Sequence, residues 1–275
     1  MRVNVPICVL FIALSPMFAD EPMIVAHRGA SKDAPENTIP AFQLAWERGA
    51  DAIEGDFHLT KDGHIVCFHD AHTKKLTGQT LHIRNSTLAE LQKLDVGAHH
   101  SDKFKGTVIP TLAEVLATIP DGKTIYVEIK CGAEIVPHLL KELKNSELDP
   151  KQMVVISFKE EVMKALTAMT SSYKTYWLTK FRRDKSGQRT PTRDSILKTL
   201  EGIRAAGIST NSSLVNHALI QDIQKQGYEY HVWTIDDPGS AQRFRQWGVQ
   251  SITTNIPGKI RNHLSSMEGG RRHKD

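Results

Sequence analysis

The sequence predicts a protein of the α/β class, in which eight parallel β-strands, each followed by a helix, close into a (β/α)8 TIM barrel with a small insertion after the second strand. First, short apolar runs alternate with longer amphipathic segments eight times between residues 23 and 264. Second, imidazole and carboxylate side chains recur at the ends of predicted strands, where barrels of this type collect their functional groups. Third, an open doubly wound sheet would carry a glycine-rich turn after its first strand, and His27-Arg28-Gly29-Ala30 is not that turn.

The predicted elements follow from the spacing of apolar residues. The first strand is a run of apolar and β-branched residues, and beyond it Ile39, Phe42 and Trp46 recur at helical spacing before Gly49, which predicts a helix and its end. The complete set of predicted strands is 23–27, 52–59, 124–130, 153–158, 174–179, 207–211, 228–235 and 251–255. The predicted helices are 37–48, 111–119, 134–145, 159–169, 193–206, 216–226, 238–247 and 257–264.

The segment after the second predicted strand breaks this alternation. Asp62-Gly63 between two apolar runs predicts a β-hairpin, and residues 71–110 contain no strong barrel element, so we expect an insertion over the mouth of the barrel. Two interpretations stay open: one wall of a substrate groove, or a solvated excursion with a short helix at residues 87–94. The polar residues concerned are Thr77, Gly78, His82, Asn85, His99, His100 and Lys103.

Length and composition favour one large domain. The chain has 275 residues, 40% of them hydrophobic, within the range that α/β barrels occupy as one unit. The formal net charge of +4 favours an anionic substrate only weakly and is far from the concentrated basic face of a nucleic-acid-binding protein. A basic loop at residues 180–189 either steers phosphate-bearing substrates or is simply solvated. We expect Cys67 and Cys131 to be free and mostly buried thiols.

Both ends of the chain lie outside the predicted domain of residues 20–265. An arginine precedes an apolar stretch at residues 5–18 that is too short to span a bilayer, so residues 1–19 are typical of a signal peptide. We therefore expect an exported protein, periplasmic or secreted, with no stable membrane span after signal removal. An uncleaved anchor or a buried first helix is the alternative. Residues 266–275 form a basic tail that we expect to be flexible.

Three carboxylates at strand ends predict a metal site, and a lysine beside them would offset substrate charge. Because alternate side chains of a strand face the same way, Glu54 and Asp56 point into one space, and Glu128 and Lys130 repeat this spacing on the next barrel strand. Carboxylates that converge without a cation repel each other. Oxygen ligands suit one divalent ion, Mg²⁺ or Ca²⁺ first and Mn²⁺ as a further candidate. For either pair taken singly, charged strand ends that reach solvent are the alternative.

Two histidines and an arginine complete a set suited to metal-assisted cleavage of a phosphodiester. Such a reaction needs one group to activate the nucleophile and another to protonate the departing alkoxide, and imidazole suits both tasks near neutral pH. His27 and His69 fit, although the sequence does not assign which is the base. Arg28 offers a planar fork for phosphate oxygens. Asp70 either orients one imidazole or caps the following turn.

Taken in order along the chain, several short motifs resemble one enzyme family. The motifs are His27-Arg28-Gly29-Ala30, Ala34-Pro35-Glu36-Asn37-Thr38, Glu54-Gly55-Asp56, Asp62-Gly63, His69-Asp70, Pro110-Thr111-Leu112, Glu128-Ile129-Lys130 and Trp233-Thr234. From about residue 24 to residue 256 the chain thereby resembles the glycerophosphodiester phosphodiesterases, a family of phosphatidylinositol-phospholipase C-like phosphodiesterase barrels. No single motif is decisive, but the ordered set is highly specific.

The resemblance implies an activity and a role for each residue. The activity is metal-dependent hydrolysis of small glycerophosphodiesters to sn-glycerol 3-phosphate and an alcohol, in phospholipid-headgroup breakdown. The implied catalytic residues are His27 and His69, the substrate-binding residues Arg28, Lys130 and Trp233, and the metal ligands Glu54, Asp56 and Glu128. Two alternatives stay open: a phospholipase D-like enzyme acting on lysophospholipids or sphingolipids, and a non-catalytic phosphodiester-binding barrel.

The sequence departs from the family pattern at two positions. Asn255 stands where the family usually has an aspartate, and Asp236 stands where an asparagine is common. We expect neither residue to touch the metal ligands or the histidines, so that only hydrogen bonding at the barrel end and substrate fit are affected.

Overall fold

The computed structural model describes residues 21–269, so the predicted signal peptide and residues 270–275 lie outside the described part of the chain. Its strands are β1 (Met23–His27), β2 (Ala52–Leu59), β3 (Ile65–Cys67), β4 (Thr124–Ile129), β5 (Met153–Ser157), β6 (Lys174–Thr179), β7 (Arg182–Arg183), β8 (Arg189–Thr190), β9 (Gly207–Asn211), β10 (Glu229–Trp233) and β11 (Ser251–Thr254). Eight of them pair in parallel in the order β1, β2, β4, β5, β6, β9, β10, β11, and β11 pairs with β1. This ring confirms the predicted barrel.

Helices follow the barrel strands as predicted. They are α1 (Ile39–Glu47), α2 (Lys74–Thr77), α3 (Leu88–Leu91), α4 (Leu112–Leu116), α5 (Val136–Asn145), α6 (Glu160–Met169), α7 (Arg193–Ile203), α8 (His217–Lys225), α9 (Pro238–Gln246) and α10 (Pro257–Gly269). Several begin at a side chain that caps a free backbone N–H, such as Thr38 before α1, Asn216 before α8 and Asp237 before α9. Within residues 21–269 no helix has the length and apolar character to cross a bilayer.

The observed elements differ from the predicted ones mainly at their ends. Four of the eight barrel strands end one or two residues earlier than predicted, and α4 ends at Leu116 rather than at residue 119. Helix α10 runs to Gly269, past its predicted end at residue 264 and into the segment expected to be a flexible tail. No proline lies between residues 264 and 269 to end it.

The core has an inner and an outer part, as the alternation of side chains along each strand requires. Inside the ring, residues such as Tyr126, Ile156 and Leu178 pack against one another. Outside it, the opposite strand faces pack against the helices in two large clusters, one that includes Phe42 of α1 and one that includes Phe244 of α9. The barrel is therefore closed and its interior is filled with side chains. The ends of the barrel are where a functional site can form.

The insertion after β2 has a small core of its own. Strand β3 turns back antiparallel to β2, pairing Phe57 with Cys67, which confirms the predicted hairpin. Beyond it, the apolar residues Phe68, Ile83 and Leu91 are buried together. The segment is thus a packed cover beside β2, with the predicted short helix present as α3.

The turn after β1 requires a glycine. Arg28 and Gly29 both have positive φ, 55° and 80°, a conformation that glycine adopts without steric cost. A Cβ on Gly29 would lie 2.5 Å from the backbone carbonyl carbon of Ala41 in α1. The first helix therefore packs directly on the backbone that presents Arg28.

Substitution of Gly29 by alanine is expected to destabilise the barrel by about 3 kcal/mol, because strain at positive φ and overpacking against α1 each cost about 1–2 kcal/mol. Gly78→Ala is the matched control, since Gly78 also has positive φ (72°) but nothing lies within 4 Å of its added Cβ. It should cost about 1 kcal/mol. Urea unfolding of both variants measures the difference, and equal losses would show that the contact with Ala41 is not limiting.

Candidate active site

A cavity of about 350 Å³ opens at the carboxyl ends of the barrel strands. Its lining is His27, Arg28, Glu54, His69, Tyr126, Glu128, Lys130, Ile156, Phe158, Leu178, Lys180, Ser209, Trp233, Thr234 and Thr253. Seven of the eight predicted site residues are in this wall, and the eighth, Asp56, is buried beside Glu54 and Glu128. The structure thus brings the predicted residues together at one end of the barrel.

Strand register places the three carboxylates. Asp56 on β2 lies directly opposite Glu128 on β4, and Glu54 lies opposite His27 on β1. Ligand atoms from Glu54, Asp56 and Glu128 all lie within 4.8 Å of one another. These side chains are only 3%, 1% and 8% exposed, so their mutual repulsion is weakly screened by solvent.

The pKa values of the triad reflect burial and then the mutual repulsion of the carboxylates. Burial, and then the nearby Asp56 and Glu128, raise the pKa of Glu54 well above its ordinary value. Burial and then Asp56 raise the pKa of Glu128 to about 7. Glu54 Oε1 is buried with no hydrogen-bond partner among the described residues. A hard divalent cation would pair this oxygen and remove the repulsion, so the donor set fits such an ion.

Two cationic side chains partly balance the triad. Arg28 Nε lies 3.1 Å from Asp56 Oδ2, and Lys130 Nζ lies 3.3 Å from Asp56 Oδ1 and 2.7 Å from Glu128 Oε1. The backbone N–H of Arg28 also donates to Glu54 Oε2 at 2.9 Å. Burial opposes ionisation of Asp56, but Lys130 and then Arg28 hold its pKa below the ordinary value. Asp56 is therefore the carboxylate of the triad that stays charged.

Asn37 also supports the triad, a role that sequence reasoning missed. Its Nδ2 donates to Asp56 Oδ2 at 2.8 Å, and its Oδ1 accepts from the Asp56 backbone N–H at 3.1 Å and from Cys67 Sγ at 3.2 Å. Its φ of 60° is unusual for a residue other than glycine. The sequence feature that could have indicated this role is the position of Asn37 in the motif Ala34-Pro35-Glu36-Asn37-Thr38. Cys67 is a free buried thiol, as predicted, and Cys131 is free and half-buried.

Each predicted catalytic histidine has a side-chain partner on Nδ1. His69 Nδ1 lies 2.6 Å from Asp70 Oδ1, so of the two interpretations of Asp70 the structure shows the one in which it orients an imidazole. His27 Nδ1 lies 2.7 Å from Asn255 Oδ1. The expectation that Asn255 would not touch the histidines was wrong, because the end of β11 lies next to the end of β1. Burial, and then Arg28, lower the pKa of His27.

Part of the cavity wall is apolar. Tyr126, Ile156 and Leu178 form it from inside the barrel, and the ring of Phe158 meets that of Trp233 edge to face at 5.7 Å. Sequence reasoning missed Phe158, which it placed at the end of a strand without a role. Of the two interpretations of the insertion, the structure favours the excursion with a short helix over the wall of a substrate groove, since residues 71–110 do not line this cavity. Their apolar side chains pack against one another instead, which leaves the polar ones outside.

The basic loop after β6 contributes to the site at its first residue. Lys180 lines the cavity, and the remainder forms the short antiparallel pair of β7 and β8. Arg189 in β8 packs over the ring of Phe181, 5.3 Å from its centre. The loop is therefore ordered, and it contributes the positively charged side chain of Lys180 to the cavity wall.

Comparison with known proteins agrees with this geometry. The model of the Glycerophosphoryl diester phosphodiesterase family matches residues 27–259. The chain belongs to this family. It is 32% identical to a glycerophosphodiester phosphodiesterase of Caldanaerobacter subterraneus subsp. tengcongensis over 87% of this chain and 96% of that protein. The family assignment makes the chain an enzyme of phosphodiester hydrolysis, as its sequence motifs predicted.

Two further members of the glycerophosphoryl diester phosphodiesterase family bear on the site. An Oleispira antarctica phosphodiesterase, solved in complex with the product sn-glycerol-3-phosphate, superposes with a TM-score of 0.80 at 26% identity over 89% of this chain and 97% of that chain. A lysophospholipase D of Rattus norvegicus is 26% identical over 88% of this chain and 86% of that protein. One of these relatives was thus solved with the product sn-glycerol-3-phosphate bound, and the other is named a lysophospholipase D.

We expect the metal-free protein to bind Mn²⁺ more tightly as the pH rises. Protons compete with the cation for the carboxylates, and for a group with a pKa of about 7, such as Glu128, binding should strengthen about tenfold between pH 6 and pH 8. Glu54, whose pKa is also raised, adds to the effect in the same direction. Calorimetric titration at the two pH values measures it.

Glu128→Gln should weaken binding and flatten its pH dependence, whereas substitution of the exposed Glu134 by glutamine, five residues beyond β4, should change neither. Equal affinity of the unmodified protein at both pH values would contradict the competition.

Proposed function

We propose that the protein hydrolyses glycerophosphodiesters to sn-glycerol 3-phosphate and an alcohol, with one divalent metal ion. The observation that carries this proposal is the convergence, in one cavity, of a buried carboxylate triad, two histidines and two cations. The names of the relatives support the same reaction. No member of the predicted catalytic or metal-binding set is missing, which argues against a barrel that only binds its ligand.

Glu54, Asp56 and Glu128 would hold the ion, and carboxylate ligands suit Mg²⁺, Ca²⁺ or Mn²⁺. When bound, the ion supplies Lewis-acid stabilisation of the charge that develops on phosphate oxygens. The unpaired oxygen of Glu54 and the raised pKa values of Glu54 and Glu128 support its presence in the working enzyme.

The remaining residues divide the work of binding and proton transfer. Arg28 and Lys130 lie within reach of the triad and present N–H donors to non-bridging phosphate oxygens. His27 and His69, which both line the cavity, act as the acid and base. Trp233 and Phe158 cover the carbon atoms of the glycerol, which keeps water away from that side of the substrate.

The alcohol that leaves is small and polar in the main proposal, such as choline or ethanolamine, because a cavity of about 350 Å³ is close to the lower limit for a small-molecule site. A lysophospholipid is the second candidate. One observation favours it: Phe158, at the cavity rim, is 44% exposed and could contact an acyl chain. We further propose that the reaction takes place after export, in phospholipid-headgroup breakdown, on the strength of the signal peptide predicted at residues 1–19.

The deciding experiment is release of sn-glycerol 3-phosphate from glycerophosphocholine by protein treated with EDTA, followed by addition of Mg²⁺, Ca²⁺ or Mn²⁺. We expect no release without metal and restored release with at least one ion. Release of choline from glycerophosphocholine serves as a second readout of which ester bond breaks. Activity on lysophosphatidylcholine alone would replace the main proposal by the lipid candidate, and a folded protein inactive on both would contradict each.

Substitution of His27 or His69 by alanine is expected to lower the turnover number by about 10²- to 10⁴-fold, the usual contribution of a positioned acid or base. Mn²⁺ binding should persist in both variants, because neither histidine belongs to the triad. His64→Ala is the control, since His64 is exposed in the β2–β3 hairpin away from the cavity. Undiminished hydrolysis in both cavity variants would show that the acid and base lie elsewhere.

A further inference from the structure

The side chain that contacts His27 is itself fixed by a carboxylate outside the cavity. Asn255 Nδ2 donates to Asp236 Oδ2 at 2.6 Å. The other carboxylate oxygen, Asp236 Oδ1, accepts from the Asn255 backbone N–H at 2.8 Å and from Thr254 Oγ1 at 2.9 Å. Asp236 therefore accepts three hydrogen bonds, one of them from a backbone group that cannot change its direction.

These contacts determine the orientation of the Asn255 amide. An amide has one donor end and one acceptor end, and a carboxylate can only accept, so Nδ2 must face Asp236. Oδ1 then faces the other way, where it accepts from Ser31 Oγ at 2.9 Å and lies 2.7 Å from His27 Nδ1. The direction of each hydrogen bond therefore follows from the one before it, starting at Asp236.

The same logic fixes the tautomer of His27. Asn255 Oδ1 can only accept, so the proton of the neutral imidazole must be on Nδ1. The lone pair is then on Nε2, which is the nitrogen left for the reaction in the cavity that His27 lines. Reversal of the Asn255 amide would instead place a donor against Nδ1 and move the ring proton to Nε2.

We infer that Asp236 is a positioning residue for catalysis, which acts through Asn255 to hold His27 in the Nδ1–H tautomer with Nε2 available for proton transfer. Asp236 does not line the cavity, so it acts without touching substrate. The catalytic part of this inference rests on the proposed function, in which His27 transfers a proton. The tautomer itself does not depend on it.

Replacement of Asp236 by asparagine should break the chain of hydrogen bonds. The new amide has a single acceptor end, and the backbone N–H of Asn255, which cannot rotate, requires it. Its NH₂ end then meets the Asn255 side chain, which must turn its own oxygen toward position 236 and its NH₂ toward His27. We expect the ring proton of His27 to move to Nε2, with the turnover number falling about 10- to 100-fold and KM little changed.

Exchange of the two residues should repair the defect. In the double variant D236N/N255D, the new carboxylate at position 255 accepts from His27, Ser31 and the amide at position 236, whose oxygen accepts the backbone N–H. Every donor again has an acceptor. N255D alone places two carboxylates against each other and should be impaired, so recovery in the double variant distinguishes matched hydrogen bonding from a loss of charge or of folding.

Asp237→Asn is the matched control. It removes the same charge one residue away, and asparagine replaces aspartate well as the cap that accepts the Ser240 N–H at the start of α9. We expect it to match the unmodified protein in turnover and in thermal unfolding. Turnover and KM for glycerophosphocholine are measured for all four variants with the metal that supports activity.

The second readout needs no activity. Long-range proton–nitrogen correlation spectra of protein labelled in histidine show which ring nitrogen carries the proton, and the His27 signals are those lost in His27→Gln. We expect the Nδ1–H pattern in the unmodified protein, in D237N and in the double variant, and the Nε2–H pattern in D236N. An unchanged tautomer in D236N, or a turnover equal to that of D237N, would overturn the inference. An unmodified protein that shows the Nδ1–H pattern but hydrolyses nothing would refute the proposed function while leaving the tautomer assignment in place.

Discussion

The structure is organised around the repulsion among three buried carboxylates. Glu54, Asp56 and Glu128 approach one another where solvent cannot screen their charge, an arrangement that costs several kcal/mol unless positive charge is supplied. Arg28 and Lys130 supply part of it, but burial and then Asp56 still raise the pKa of Glu128 above its ordinary value. A site that remains short of positive charge is suited to a divalent cation. The cationic side chains then become available to an anionic substrate.

The barrel makes this costly arrangement possible because its hydrogen-bonded strands cannot move apart to relieve the repulsion. Parallel register sets Asp56 opposite Glu128 and His27 opposite Glu54, and the filled interior of the barrel prevents the side chains from withdrawing in that direction. The loop after β1 adds a further constraint through Gly29 and Asn37, whose backbone conformations bring Arg28 and an amide against Asp56. The free energy gained by packing the two outer hydrophobic clusters thus compensates for the repulsion among the carboxylates of the site.

Sequence patterns predicted those features that depend on local periodicity. Alternation along a strand was sufficient to place Glu54 and Asp56 on one face, and strand-end position was sufficient to bring His27, His69 and Glu128 to the same end of the barrel. Contacts between distant segments could not be predicted in this way: His27 and Asn255 are 228 positions apart, and only the closure of β11 on β1 brings them together. The sequence left two interpretations of the insertion open for a related reason, since its polar residues are conspicuous in sequence whereas the small apolar core that turns them away from the cavity is not.

The two parts of the cavity wall explain how one site can distinguish portions of a diester. The charged part consists of the triad, Arg28 and Lys130, and the apolar part contains Ile156, Leu178 and the aromatic pair of Phe158 and Trp233. Apolar walls lower the local dielectric, so each ion pair and hydrogen bond on the charged side is stronger than it would be in water. The same walls favour burial of carbon atoms, and Lys180, the residue after β6, adds a positive charge near Leu178. A phosphate attached to a short carbon chain therefore satisfies both parts at once, whereas an inorganic anion satisfies only one, and this difference supports a preference for organic phosphodiesters that neither part could provide alone.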